Sequence, residues 1–104
     1  MKKIVILISG RGSNMEALLA AREAGNLPVN VAAVISNRPD ADGLETAARY
    51  GIVTHYIDHK AFKGREAFDH RLAQCIDEFA PDLVVLAGFM RILTDDFVRH
   101  YEGR

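Results

Sequence analysis

Ile4-Val5-Ile6-Leu7-Ile8-Ser9-Gly10-Arg11-Gly12-Ser13-Asn14 is the stretch from which the rest of the chain can be read. Five consecutive apolar residues, four of them β-branched, suit a strand covered on both faces; strict alternation would suit a strand with one wet face. The expectation is therefore a central, parallel strand. The apolar run stops at Ser9, and two glycines two positions apart let the backbone turn with its N–H groups exposed before Met15-Glu16-Ala17-Leu18-Leu19 begins a helix. Orphan N–H groups and the positive end of the helix dipole converge at such a start, where a well-placed anion gains roughly 0.3–2 kcal/mol. Ser13-Asn14-Met15-Glu16 also fits a capping box, with Ser13 capping the helix and Glu16 reaching back to it, and that alternative needs no ligand. From the turn alone both readings stand.

The ligand class, if there is one, is narrowed by what is missing. There is no Gly-Lys-Ser/Thr, so the turn is not a nucleoside-triphosphate loop, and Met15 stands where a dinucleotide fingerprint has its third glycine. The second strand ends Ser36-Asn37-Arg38, with no carboxylate for a ribose diol. A mononucleotide or sugar phosphate fits better than a dinucleotide.

Beyond the turn, 104 residues, 49% of them hydrophobic, with a formal charge of -1, describe one domain of modest size. A near-neutral charge and the lack of a basic run argue against nucleic acid as a partner. No apolar stretch approaches eighteen residues, and Met1-Lys2-Lys3 leads through a strand-length run straight into Gly10, so no membrane association is expected and the expected location is the cytoplasm. The single cysteine, Cys75, shares the apolar side of a helix with Phe68, Leu72, Ile76 and Phe79 and reads as a small core residue.

Strand and helix signals then alternate. Gly25 ends the first helix, Val29–Ser36 is a second strand, Asn37-Arg38-Pro39-Asp40 is a loop, and Leu44, Ala47 and Ala48 mark a short helix closed by Gly51. Residues 52–57 are the third strand, a polar connection runs to Gly64, and apolar positions 68, 72, 75, 76 and 79 give a long helix broken at Pro81. Residues 82–86 form a fourth strand, followed by a loop from Ala87 to Leu93 and a last short helix after Thr94. This spacing implies right-handed crossovers and an α/β fold: a Rossmann-like open parallel sheet, ordered 3-2-1-4, with helices on both faces.

That order reverses direction between strands one and four, and ligands lie beyond strand C-termini at such a switch point. The bordering loops, 9–14 and 87–93, each contain glycine and an arginine, Arg11 and Arg91. The alternative is that Gly88 only turns the chain and both arginines are solvated. Leu83-Val84-Val85-Leu86 would be an edge with no charge to protect it, so the sheet is expected to continue in residues beyond Arg104 or to be covered by a partner.

Ile-Ser-Gly-Arg-Gly-Ser-Asn at 8–14, Arg65-Glu66-Ala67-Phe68, and above all Pro81-Asp82-Leu83-Val84-Val85-Leu86-Ala87-Gly88-Phe89-Met90-Arg91-Ile92-Leu93 resemble the phosphoribosylglycinamide formyltransferases, folate-dependent enzymes of purine synthesis. The resemblance runs the full length of the chain with matching strand–helix spacing and corresponds to the N-terminal half, so residues 1–104 are expected to be the phosphate-binding part of a single formyltransferase domain. It implies substrate-binding roles for Gly12, Ser13, Asn14 and Gly88, and a folate site at Arg65, Met90, Arg91, Ile92 and Leu93. The implied reaction carries a formyl group from 10-formyltetrahydrofolate to the amine of glycinamide ribonucleotide, with no metal. In that family an Asn-x-His-Pro-Ser motif just past a Gly-Arg like Gly103-Arg104, with a later aspartate, supplies the reacting groups. The resemblance thus implies no catalytic residue in this chain, which is expected to be inactive alone. His55, His59, His70 and His100 stand outside that context and suit surface or capping roles. Two alternatives are a stand-alone sugar-phosphate or mononucleotide-binding module, and an interaction protein pairing or self-associating through its strand-four edge.

Overall fold

The apolar run near the start of the chain forms β1 (Lys2–Ile8) and occupies the interior of a four-stranded sheet. The computed structural model describes residues 2–89 and 95–101. After β1 come α1 (Ser13–Glu23), β2 (Val29–Ser36), α2 (Asp42–Arg49), β3 (Thr54–Tyr56), a 3-10 turn (His59–Ala61), α3 (Arg65–Asp77), β4 (Leu83–Leu86) and α4 (Asp95–His100). The strand order is β3-β2-β1-β4 and every pairing is parallel, as the alternating signals predict.

Residues Ile4 to Ile8 are all buried because each face of β1 meets helices. Successive side chains point to opposite faces. Ile4, Ile6 and Ile8 pack with Met15 and Leu19 of α1 and Ala47 of α2, while Val5 and Leu7 pack with Phe68, Leu72, Cys75 and Ile76 of α3 and with Phe97 and Tyr101. Helices thus cover both faces. Gly25 ends α1 as expected: its N–H donates to the Arg22 carbonyl and that of Asn26 to the Ala21 carbonyl, at 3.0 and 2.9 Å.

Three local departures have physical causes. Ile4 pairs with Val31 but Val5 pairs with Ala33, so Ala32 is an extra residue in β2, and Ala32 and Ala33 both pack toward α3. The third strand is three residues long, shorter than the expected 52–57. Its start is claimed by α2, because the Ile52 N–H donates to the Ala47 carbonyl at 3.1 Å and closes that helix. Ala80, between α3 and Pro81, has φ 45, a left-handed conformation that costs an L-residue roughly 1–2 kcal/mol.

β4 pairs on one side with β1, and among the described residues no strand pairs with its other side. Val84 and Val85 pack against opposite cores, whereas Leu83 and Leu86 are 41% and 56% exposed. An apolar, uncharged edge is therefore present in the described sheet.

Candidate functional site

Where β1 gives way to α1, Gly12 takes the cap position with φ 70 and ψ 40, in the left-handed region that glycine tolerates. Ser13 is consequently the first residue of the helix, and its side chain makes no capping bond. The capping box is corrected by this geometry: with the cap made by the glycine backbone, Ser13 lies one position too far along to reach the helix donors. The first helical bond runs from the Glu16 N–H to the Gly12 carbonyl at 2.8 Å. The N–H groups of Ser13, Asn14 and Met15 precede it and have no acceptor within the helix. Ser13 and Asn14 are exposed, whereas the Met15 side chain is buried beneath them and fixes the turn to the core.

Register places the start of the second loop beside the end of β1. Leu7 pairs with Leu86, and the Ala87 N–H donates to the Leu7 carbonyl at 2.9 Å, so the chain leaves β1 and β4 side by side at one sheet edge. Gly88 follows with φ 78 and is exposed. A Cβ there would meet nothing within 4 Å, so backbone conformation, not crowding by the chain, calls for glycine. Arg65 opens α3, is exposed, and sits after Gly64 at the cap. Parallel crossovers start every helix at the C-terminal edge of the strands, which puts Arg65 on the same edge as the two loops but on the opposite face from α1. Gly12, Ser13 and Asn14 on one side and Gly88 on the other thus follow the ends of neighbouring strands, Arg65 lies on the other face, and Met90, Arg91, Ile92 and Leu93 lie outside the described residues.

The neighbouring end of β2 is occupied internally. The Ser36 hydroxyl accepts from the Arg38 N–H at 3.0 Å, and the buried Asn37 offers its carbonyl to the His59 N–H at 3.3 Å and to the His59 ring at 3.1 Å. Asp40 accepts from the Arg38 guanidinium at 3.1 Å, and that hydrogen bond and charge hold its carboxyl below the usual carboxylate range. Asp58 accepts from the Lys60 N–H and caps the 3-10 turn. His55 tilts against Phe79, and His100 pairs with Asp77 at 2.9 Å. Those three histidines have structural partners; His70 is exposed on α3.

A cleft of about 340 Å³ runs between α3 and α4 on the opposite face from α1, lined by Glu66, Asp69, His70, Asp77, Phe97 and His100 among others. It does not include the glycine turn. Among the described residues no group of three or more His, Cys, Asp or Glu is placed to hold a metal ion, and no helix is long and apolar enough to cross a membrane.

The glycine-turn arrangement can be set beside known proteins. The sequence matches the formyl transferase family over residues 2–104. The chain belongs to that family. It is 54% identical over 101 residues to phosphoribosylglycinamide formyltransferase of Escherichia coli, a match covering 97% of this chain and 48% of that protein. It is 45% identical to the trifunctional purine biosynthetic protein adenosine-3 of Bos taurus, covering 98% of this chain and 10% of that one. Among solved structures, the phosphoribosylglycinamide formyltransferase of Coxiella burnetii superimposes with a TM-score of 0.95 at 48% identity, covering 99% of this formyl transferase chain and 48% of that one. The chain spans about half the length of the formyltransferases it matches.

One contact of this formyl transferase turn was not anticipated from its sequence. Gly43, in the first turn of α2, donates its N–H to the Gly10 carbonyl at 2.9 Å. The available signal was a glycine inside a helical pattern, which marks a close approach of backbone.

Proposed function

We propose that this chain contributes the substrate-phosphate loop and part of the folate site for formyl transfer from 10-formyltetrahydrofolate to the amine of glycinamide ribonucleotide, a step of purine biosynthesis. Residues 1–104 are the phosphate-binding part of a single formyltransferase domain that works in the cytoplasm. The observation that carries the reading is the α1 start: three N–H groups without helical acceptors, an exposed Ser13 and Asn14, and the β4 loop alongside. Gly12, Ser13 and Asn14 hold the phosphate and Gly88 leaves room for the substrate. Arg65, Met90, Arg91, Ile92 and Leu93 form the folate side.

In such a transfer the amine attacks the formyl carbon and gives up a proton, and the formyl oxygen gains negative charge on the way. This chain's part is to bind and orient. Anchoring the phosphate at α1 fixes the far end of the substrate, which delivers the amine toward the β4 loop in a restricted geometry. Proton transfer and oxyanion stabilisation are assigned to none of the residues in this chain.

Calorimetric titration of the chain with glycinamide ribonucleotide tests the reading. Saturable binding is expected, competed by inorganic phosphate and weakened about tenfold in the Ser13→Ala/Asn14→Ala variant through loss of charge-assisted hydrogen bonds. Absence of binding, or an unchanged affinity in the variant, overturns it. The exposed Leu83 and Leu86 support a second reading, in which β4 pairs with a second copy or another chain. Sedimentation that shows a monomer at all concentrations excludes its self-association arm.

A further inference from the structure

We propose that Gly43 is a positioning residue for the anion loop, acting from α2 as the floor on which Gly10, Arg11 and Gly12 rest. The inference rests on reading that loop as the phosphate site. α2 has Ala41 at its cap and no side-chain capping bond, so its first-turn donors need acceptors from elsewhere. The Gly10 carbonyl supplies one, accepting from the Gly43 N–H at 2.9 Å. Because the peptide unit is planar and trans, a carbonyl held toward α2 turns the N–H of Arg11 the opposite way, away from α2. The same bond that caps α2 therefore orients a loop donor outward.

Close contact enforces this orientation. A Cβ on Gly43 would lie 2.5 Å from Ile8 Cδ1, 3.0 Å from the Gly10 carbonyl oxygen and 3.2 Å from that of Arg11. On the other side, a Cβ on Gly12 would lie 3.5 Å from the Gly43 Cα. Three consecutive loop residues are thus in reach of one glycine. A side chain at 43 crowds the backbone of the loop, and anion sites lose affinity when their donors are displaced even slightly.

The contacts are of two kinds, and this makes the role separable from folding. The contact with Ile8 is to the end of a flexible side chain, which Ile8→Val removes; the contacts with Gly10 and Arg11 are to backbone and stay. In Gly43→Ala/Ile8→Val the remaining strain falls on the loop alone. Affinity for ribose 5-phosphate, measured by calorimetry on the full chain, is expected to drop about tenfold relative to Ile8→Val, while the thermal midpoint stays within a few degrees. Equal affinity in the two variants overturns the proposal.

A second measurement uses the unmodified chain and is independent of whether the variant folds. Saturating ribose 5-phosphate should slow hydrogen exchange at the Gly43 N–H, because that proton is released only when the loop lifts from α2. Unchanged exchange also overturns the proposal. If the unmodified chain fails to bind ribose 5-phosphate, the phosphate reading falls and this inference with it. If Ser13→Ala/Asn14→Ala weakens binding but Gly43→Ala/Ile8→Val does not, only the inference falls.

Discussion

On one face of the sheet, α1 and α2 bury Met15, Leu19 and Ala47 against Ile4, Ile6, Ile8, Val31 and Val34, and the glycine turn lies directly over this layer. On the other face, α3 and α4 contribute Phe68, Phe97 and Tyr101, a buried acid at Asp69, and a cleft of about 340 Å³ along their junction. Close-packed layers transmit small displacements, whereas side chains that flank a cleft have open space on one side into which they can adjust. The difference teaches that the two halves of the candidate site have unlike supports. The proposed phosphate side rests on an aliphatic layer alone; α4 is held by the buried rings of Phe97 and Tyr101 together with the Tyr101 hydroxyl on α3.

Large-to-small substitutions offer the strongest way to break this contrast. Phe68→Ala is expected to cost about 3–5 kcal/mol and Leu19→Ala about 2–5 kcal/mol in urea unfolding. Where protein remains folded, only Leu19→Ala should also weaken ribose 5-phosphate binding, since Leu19 packs in the layer beneath the loop. Equal losses of affinity in both would abolish the distinction.

Tyr101→Phe comes next in size. The Tyr101 hydroxyl lies 3.0 Å from the Ala73 carbonyl and 2.9 Å from an Asp77 carboxylate oxygen, joining the end of α4 to α3. Its removal should cost about 0.5–1.5 kcal/mol and speed amide exchange in α4 but not in α1. Replacing Ala80, held at φ 45, by glycine should instead raise stability by up to about 1 kcal/mol, seen as a higher thermal midpoint.

The smallest effect concerns Cys75. Burial pushes its thiol up, opposed by the nearby Arg71 charge. The folded state therefore holds this proton more tightly than the unfolded chain. Its contribution is fully present below the ordinary thiol range, about 8.5, and is lost as pH rises through the folded value. Stability measured from pH 8 to 10 should fall less steeply in Cys75→Ala than in the unmodified chain.

Much of this architecture was legible because it rests on local signals. The unbroken run from Ile4 to Ile8 announced a strand with two covered faces, and alternating strand and helix patterns led to the 3-2-1-4 order. Gly25 was readable as a helix end for the same reason. The features that escaped depend on distant partners. Ala32 is an extra residue only with respect to the register of β1, and Ile52 is withheld from β3 by a bond to α2. Ser13 looked like a cap by residue type, yet Gly12 can adopt the left-handed cap and displaces it. Gly43 drew no reading from sequence because nothing in its own segment reveals the loop above it. For the candidate site, the glycine turn and the adjacency of β1 and β4 were visible in advance; support of the turn by α2 was not.

The pairing of β1 with β4 also bears on when the cleft comes into being. Lys3 and Asp82 exchange hydrogen bonds across 79 positions of chain, with N–H donors on both sides. Closing that span costs roughly 1 kcal/mol more chain entropy than bringing β1 to β2, and distant pairings of this kind slow folding. The glycine turn can form once the first helices have condensed on β1 and β2. The neighbouring wall arrives only with the last strand, so during synthesis the glycine turn precedes the cleft it borders.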